Sequence, residues 1–338
     1  MDLQLTWFVL VAVLLTGYAV LDGFDLGIGV IYPFVARNSG QKAMLRSAIG
    51  PVWDGNEVWL VTGAGALFAA FPPVYAMIFS GFYLAVMLIL FGLIFRAVAI
   101  EMRSHDPAWG WFWDASFFGG SAVAAVLFGC ALGNVVRGVP LDTNGDYAGT
   151  FLQLLNPFAL LVAVTGLLML MTQGTCWAAL KIEGQLRLKA MVARSAIHWI
   201  FVAALAGLTL YSVFEIPERM QNVVSRPLGW LALAVLVGGI LTFRIAVARG
   251  GDLVAFVGSS ATIAALMGLA AIGNYPAIVP ARGTPAATSL TLDNATATDH
   301  ALLVMLIIAC IGLPIVLGYT TYVYRTFRGK IDPSAGGY

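Results

Sequence analysis

The sequence predicts an all-α integral membrane protein of nine transmembrane helices, with its N-terminus outside and its C-terminus cytoplasmic. Three observations carry that prediction. Of 338 residues, 60% are hydrophobic and only 10% are charged, for a mean hydropathy of +0.89; a soluble domain carries about 25% charged residues. Apolar runs long enough to cross a bilayer recur along the whole chain. Lysine and arginine concentrate on alternate connections between those runs.

Windows of about 20 apolar residues place segments at about 5–30, 52–71, 74–98, 115–136, 157–180, 196–214, 228–248, 253–273 and 302–324. The first begins "MDLQLTWFVLVAVLL", without a basic n-region or a small-residue cleavage site, so a retained helix is expected rather than a signal peptide. The second opens with "GPVWDGNEVWLV" (residues 50–61), an apolar run that begins with two acids and two tryptophans. Trp53, Trp59, Trp109, Trp111 and Trp113 fall near segment ends, where aromatic belts form at membrane interfaces. Cys130, Cys176 and Cys310 lie inside apolar segments and read as buried packing thiols. The longest connection runs from Asn274 to Ala301, too short for a soluble catalytic domain. Residues 1–338 are therefore expected to form one polytopic membrane domain, acting within the bilayer or at its edges.

With the N-terminus outside, the inner connections and helix ends collect Arg37, Lys42, Arg46, Arg96, Arg103, Lys181, Arg187, Lys189, Arg194, Arg244, Arg249, Arg325, Arg328 and Lys330. Only Arg137, Arg219, Arg226 and Arg282 fall outside. This division follows the positive-inside rule and supports the count of nine, since a missed helix would scramble the alternation. The net charge of +1 says little beside that separation, and no contiguous basic patch points to nucleic acid.

Four carboxylates stand out. Asp22 and Asp25 lie toward the inner end of the first segment, Asp54 and Glu57 at the inner start of the second. Each pair has i, i+3 spacing and so shares a helical face. If the two helices are antiparallel neighbours, all four gather near the cytoplasmic face. A central aspartate costs about 2.5–3.5 kcal/mol to insert, so such a group must be hydrated, protonated or paired. Arg96, at the inner end of the third segment, is the nearest counter-ion by topology. The residues leave two readings open: a proton entry path, or capping and interfacial groups with no transport role. Gly23, Gly27 and Gly29 in "GFDLGIG" allow close helix packing or local unwinding.

Histidine is scarce. His105, His198 and His300 all fall in loops or at segment starts, none opposite another in mid-membrane, and no Cys/His metal spacing occurs. Any redox cofactor is expected on a partner chain.

The blocks "GYAVLDGFDLGIG" (17–29), "GPVWDGNEVWLVTGAGALFAAFPPVYA" (50–76), "SGFY" (80–83), "LQLLNPFAL" (152–160), "TQG" (172–174) and "SLTLDNATAT" (289–298) resemble, in order, subunit II of the cytochrome bd-type quinol oxidases. The resemblance implies two four-helix bundles plus a peripheral ninth helix, in a bacterial cytoplasmic membrane. It implies a larger partner, subunit I, holding two b-type haems, one d-type haem and the quinol-oxidising loop, with small accessory subunits in some complexes and room for a bound quinone. The implied reaction oxidises quinol and reduces oxygen to water with four electrons. By the same resemblance Asp25 and Asp54 line a hydrophilic path from the cytoplasm, and Trp53 and Trp59 flank it and the oxygen entrance. Glu57 is a weaker match, because the family also accepts an amide there. The connection from Glu215 to Pro227 is short. Two rivals remain at the level of sequence: a proton- or ion-coupled secondary transporter, and a purely structural partner whose acids are tolerated.

Overall fold

The computed structural model describes residues 2–283 and 288–331. Twelve α-helices make up the described chain: α1 (Leu3–Val35), α2 (Ser39–Ile49), α3 (Trp53–Ala70), α4 (Pro72–Gly81), α5 (Tyr83–His105), α6 (Gly110–Arg137), α7 (Pro157–Lys181), α8 (Gly184–Glu215), α9 (Pro217–Val224), α10 (Pro227–Arg249), α11 (Asp252–Asn274) and α12 (Asp299–Thr326). Two short strands, β1 (Ala277–Val279) and β2 (Leu290–Thr291), pair antiparallel. Eight of the described helices are long and apolar enough to cross a membrane: α1, α5, α6, α7, α8, α10, α11 and α12. The multi-pass membrane character expected from composition is thus present in the fold.

The expected second segment, about 52–71, corresponds to α3, whereas the expected third, about 74–98, is divided between α4 and α5. α3 and α4 meet the test only together, and they bend by 119° at Phe71. The cause is local. Pro72 and Pro73 open α4, and a residue before proline is driven out of the helical region; Phe71 sits at φ −132°, ψ 63°. A second break at Phe82 separates α4 from α5. A hydropathy window reads composition and merges α4 with α5, whereas the helix breaks at Phe82. Alone, α3 has 18 residues, about 27 Å at 1.5 Å per residue, close to a hydrocarbon core of about 30 Å.

Helix ends explain several of the distinctive blocks. In "LQLLNPFAL", Asn156 caps α7 by accepting from the Ala159 N–H, and its amide donates to Asn134 on α6. In "SLTLDNATAT", Asn294 closes a turn against Ser289 and Thr291, and Thr298 caps α12. α1 stays unbroken through "GFDLGIG". Its glycines serve close approach instead of unwinding: a Cβ on Gly27 would collide with the Leu170 carbonyl of α7, and Gly174 of "TQG" faces it from the same helix.

α1 is central, packing on α3, α6 and α7; α5 packs on α6, α7 on α8, and α10 on α11, with α7 also touching α11. α12 is the least enclosed, with only Leu302 buried. The end of the molecule that carries most of the lysines and arginines is tied together by two carboxylates. Asp114 on α6 accepts from Tyr32, Lys42 and Arg103 at 2.7–2.9 Å, joining α1, α2, α5 and α6. Asp252 on α11 accepts from Arg187 and Arg194 of α8 at 2.6 and 2.9 Å. At the opposite end an apolar cluster of Trp7, Phe71, Phe82, Leu141, Val279 and Leu290 joins the loops to the helices.

Two single-residue expectations are corrected. His198 is not at a segment start: α8 begins at Gly184, and the imidazole is buried in mid-helix, stacked on Phe243 at 3.9 Å. Cys130 and Cys176 are buried, but Cys310 is exposed on α12.

Candidate functional site

α1 carries Asp22 and Asp25, both fully buried, near the basic end of the molecule. Asp22 reaches across to α5, where Arg96 grips it with two parallel bonds, Nη1 to Oδ2 at 2.9 Å and Nη2 to Oδ1 at 2.5 Å. Arg96 is itself fully buried. A bidentate guanidinium–carboxylate pair is the arrangement that best offsets the desolvation of both charges. Glu57 of α3 approaches the same guanidinium at 3.4 Å.

Asp25 has no such partner. Its Oδ2 accepts from the Asn56 amide at 2.7 Å, and its Oδ1 is buried without a hydrogen-bond partner among the described residues. Three carboxylates (Asp22, Asp25 and Glu57) therefore share the field of one arginine. Tyr18 is buried on α1 one turn from Asp22.

Asp54 is placed apart. Residues two apart on an α-helix point to nearly opposite sides, so Asn56 faces α1 while Asp54 is exposed. Asp54 lines a cleft of about 280 Å³, together with Trp53, Asn56, Glu101, Tyr319 and Tyr324. The cleft thus runs from an exposed acid to the amide that holds Asp25. Trp53 lies in the cleft wall and packs on the core around Phe24 and Trp177. Trp59 is elsewhere, its ring filling the space where a Cβ on Gly17 of α1 would stand. Of the seven residues singled out in the sequence, the structure gathers Asp22, Asp25, Glu57 and Arg96, sets Asp54 and Trp53 at the cleft, and puts Trp59 on the α1–α3 contact.

Two residues were not singled out. Asn56 stands inside the acidic motif and was passed over because it carries no charge. Tyr324, on α12, is 268 residues away and donates to Asn56 Oδ1 at 2.8 Å; no local pattern announces such a contact.

His105 and His300 are exposed at helix ends, and His198 is enclosed against Phe243. Among the described residues, no group of three His, Cys, Asp or Glu side chains is arranged to hold a metal ion.

The sequence pattern of the family described as cytochrome bd terminal oxidase subunit II matches residues 3–327. The chain belongs to that family. Similar relatives include the cytochrome bd-I ubiquinol oxidase subunit 2 of Escherichia coli, 37% identical over 97% of this chain and 95% of that one. Another is the cytochrome bd ubiquinol oxidase subunit 2 of Bacillus subtilis, 33% identical over 96% of each. A probable cytochrome oxidase subunit 2 of Haemophilus influenzae is 36% identical over 98% of this chain and 95% of that one. In fold, the chain superposes on a chain of the bd oxidase from Geobacillus thermodenitrificans with a TM-score of 0.80. That match covers 97% of this chain and 99% of the other at 16% identity. Membership makes the chain part of an oxidoreductase complex of the respiratory chain, with a partner subunit I on which the family's haems reside. It sets aside the reading as an ion-coupled transporter.

Proposed function

We propose that this chain is the haem-free subunit of a bacterial quinol:oxygen oxidoreductase, and that it carries protons from the cytoplasm toward the partner subunit. The supporting observation is Asp25: a buried carboxylate with one free oxygen, joined through Asn56 to a cleft at the basic end. In this reading that end is cytoplasmic, following the positive-inside rule. α3 counts as a ninth span, α1, α3, α5 and α6 form one four-helix bundle, α7, α8, α10 and α11 the other, and α12 is peripheral.

In the reaction of the complex two quinols would become quinones, releasing four protons on the outer side and giving up four electrons; one oxygen would take those electrons and four protons from the cytoplasm, giving two waters. The two b-type haems and the d-type haem of subunit I supply the electron transfer and oxygen chemistry. The share of this chain is protonic. Asp54 and Glu101 would draw hydrated protons into the cleft, Asn56 and Asp25 would stand between cleft and interior, and the Asp22–Arg96–Glu57 group would accept protons onward. Three carboxylates facing one guanidinium can take up a proton without creating a new unpaired charge. Trp53 and Trp59 are assigned to the flank of this path and to oxygen access.

One observation favours a structural role for part of the group. The bidentate Asp22–Arg96 pair ties α1 to α5, so Asp22 is assigned to scaffolding as much as to conduction. Asparagine substitutions at Asp25 and Asp54 in the intact oxidase test the assignment. Expected is a fully assembled complex with normal haem spectra and slowed oxygen consumption and proton uptake. Wild-type rates in both variants would remove these acids from the path.

A further inference from the structure

The hydrogen bonds around Asn56 form a chain with a direction. Tyr324 on α12 donates its hydroxyl to Asn56 Oδ1 at 2.8 Å, and Asn56 Nδ2 donates to Asp25 Oδ2 at 2.7 Å, with a longer contact of 3.4 Å to the Leu21 carbonyl. Asn56 is almost wholly buried, so its amide has no bulk water to turn to. An asparagine side chain offers an acceptor at one end and a donor at the other. Which end faces Asp25 follows from whether the carboxyl accepts or donates, and the group at the opposite end must meet either orientation; that group is the hydroxyl of Tyr324.

The arrangement suits a deprotonated Asp25, which can only accept. Once Asp25 takes a proton, its O–H needs an acceptor: Oδ1 faces none among the described residues, and at Oδ2 the amide nitrogen cannot be one. Turning the amide by 180° gives up the long contact to the Leu21 carbonyl and restores the other two bonds: Asp25 donates to Oδ1, and Nδ2 donates to the Tyr324 oxygen, which accepts as readily as it donates. The tyrosine hydroxyl then points its own proton into the cleft it lines with Tyr319, Thr320 and Val323. A phenylalanine at 324, or an aliphatic residue at 56, could serve neither arrangement.

We propose that Asn56 and Tyr324 form a reversible amide switch, in which the peripheral helix α12 positions the side chain that tunes proton uptake by Asp25. Both are positioning residues, since neither carries the transferred proton across the gap. The switch also gives α12 a task. This helix is otherwise scarcely buried, yet its C-terminal turns wall the cleft and reach the one amide that contacts Asp25. The other charged or titratable groups facing Asp25 are Asp22 on its own helix, Glu57 on α3 and Arg96 on α5, and Tyr324 itself on α12.

This inference rests on the reading of Asp25 as a proton carrier, and the test separates the two. Oxygen consumption by the purified complete oxidase is measured against pH for wild type, Tyr324→Phe, Asn56→Leu and Asp25→Asn. A hydrogen bond to a charged group is worth enough to move a titration by about one pH unit. Expected for Asn56→Leu is a displacement of the alkaline limb by about one unit to higher pH, because the carboxylate loses its donor. For Tyr324→Phe a displacement in the same direction by about half a unit is expected, because the amide loses the donor on its oxygen that strengthens its own donation to the carboxylate. Haem content and subunit stoichiometry should stay at wild-type values in Tyr324→Phe, which removes a single oxygen atom. Superimposable pH profiles for wild type and Tyr324→Phe, with Asp25→Asn slow, would overturn the switch while leaving the proton path standing. Wild-type rates in Asp25→Asn would overturn both.

Discussion

Arg96 and Asp22 are both fully buried and hold each other by two bonds. Removing one partner leaves the other charge stranded, at a cost of about 3–5 kcal/mol, while replacing both together is far milder. Arg96→Met, which strands Asp22, should lower the thermal unfolding midpoint of the purified complex sharply; Asp22→Asn, which leaves Glu57 3.4 Å from the guanidinium, should lower it less, and the double variant should lose less than the sum. Additive losses would show that the pair is not coupled. Asp54 is the contrast. It is exposed and makes no ion pair among the described residues, so Asp54→Asn should change stability by less than about 0.5 kcal/mol. Its effect should be kinetic: quinol-driven oxygen consumption falls, and the deficit deepens as pH rises, because the entrance carboxylate matters most when free protons are scarce. At this scale the charged members of the site were legible in the sequence, since an intramembrane acid is conspicuous by its cost. Asn56 was not, being neutral, and Tyr324 was not, because its partner is 268 residues away.

Two helices can meet closely only where side chains are absent. Gly27 of α1 lies against the Leu170 carbonyl and Gly174 of α7, so any side chain there must push backbone from backbone. Gly27→Val is expected to destabilise by about 1–3 kcal/mol or more and to reduce the amount of assembled oxidase recovered from membranes. Gly268→Ala on α11 is the control. Nothing stands within 4 Å of its added methyl, and a helical Gly→Ala change is worth up to about 1 kcal/mol of stabilisation, so recovery should match wild type or exceed it. Element positions were largely readable from apolar periodicity, and the helices of segments near 157–180, 228–248 and 253–273 begin and end within a few residues of the expected limits. The expected boundary between about 71 and 74 falls at the Phe71 bend, with the Pro72–Pro73 pair as its signal, whereas the break at Phe82 is invisible to hydropathy because apolar residues lie on both sides of it. The amphipathic start of α8 was missed for the related reason that its basic first turns fall below any apolar threshold.

Over the whole molecule, charge is separated between two ends that are built differently. At the loop-rich end the four arginines have local work: Arg137 and Arg282 converge on Glu215, Arg226 binds the Ile272 and Tyr275 carbonyls, and Arg219 lies beside Glu218. At the other end the cations outnumber their carboxylate partners, Asp114 and Asp252. That surplus orients a membrane protein with its basic end inward. A green fluorescent protein fused to the C-terminus should therefore fluoresce, and an alkaline phosphatase fused at the same place should stay inactive; the reverse pattern would invert the topology and put the cleft on the wrong side for proton uptake. Fold class and family were legible from composition and from ordered blocks spread along the chain, whereas the joining of α12 to the buried acids emerges only in three dimensions. The most direct test of the proton-supply role is single-turnover oxygen reaction of the fully reduced complete oxidase, with proton uptake followed by a pH dye in wild type and Asp25→Asn. Unchanged haem spectra with proton uptake slowed by about tenfold or more is the expected result. Uptake at the wild-type rate would show that the protons reach the partner subunit by another route.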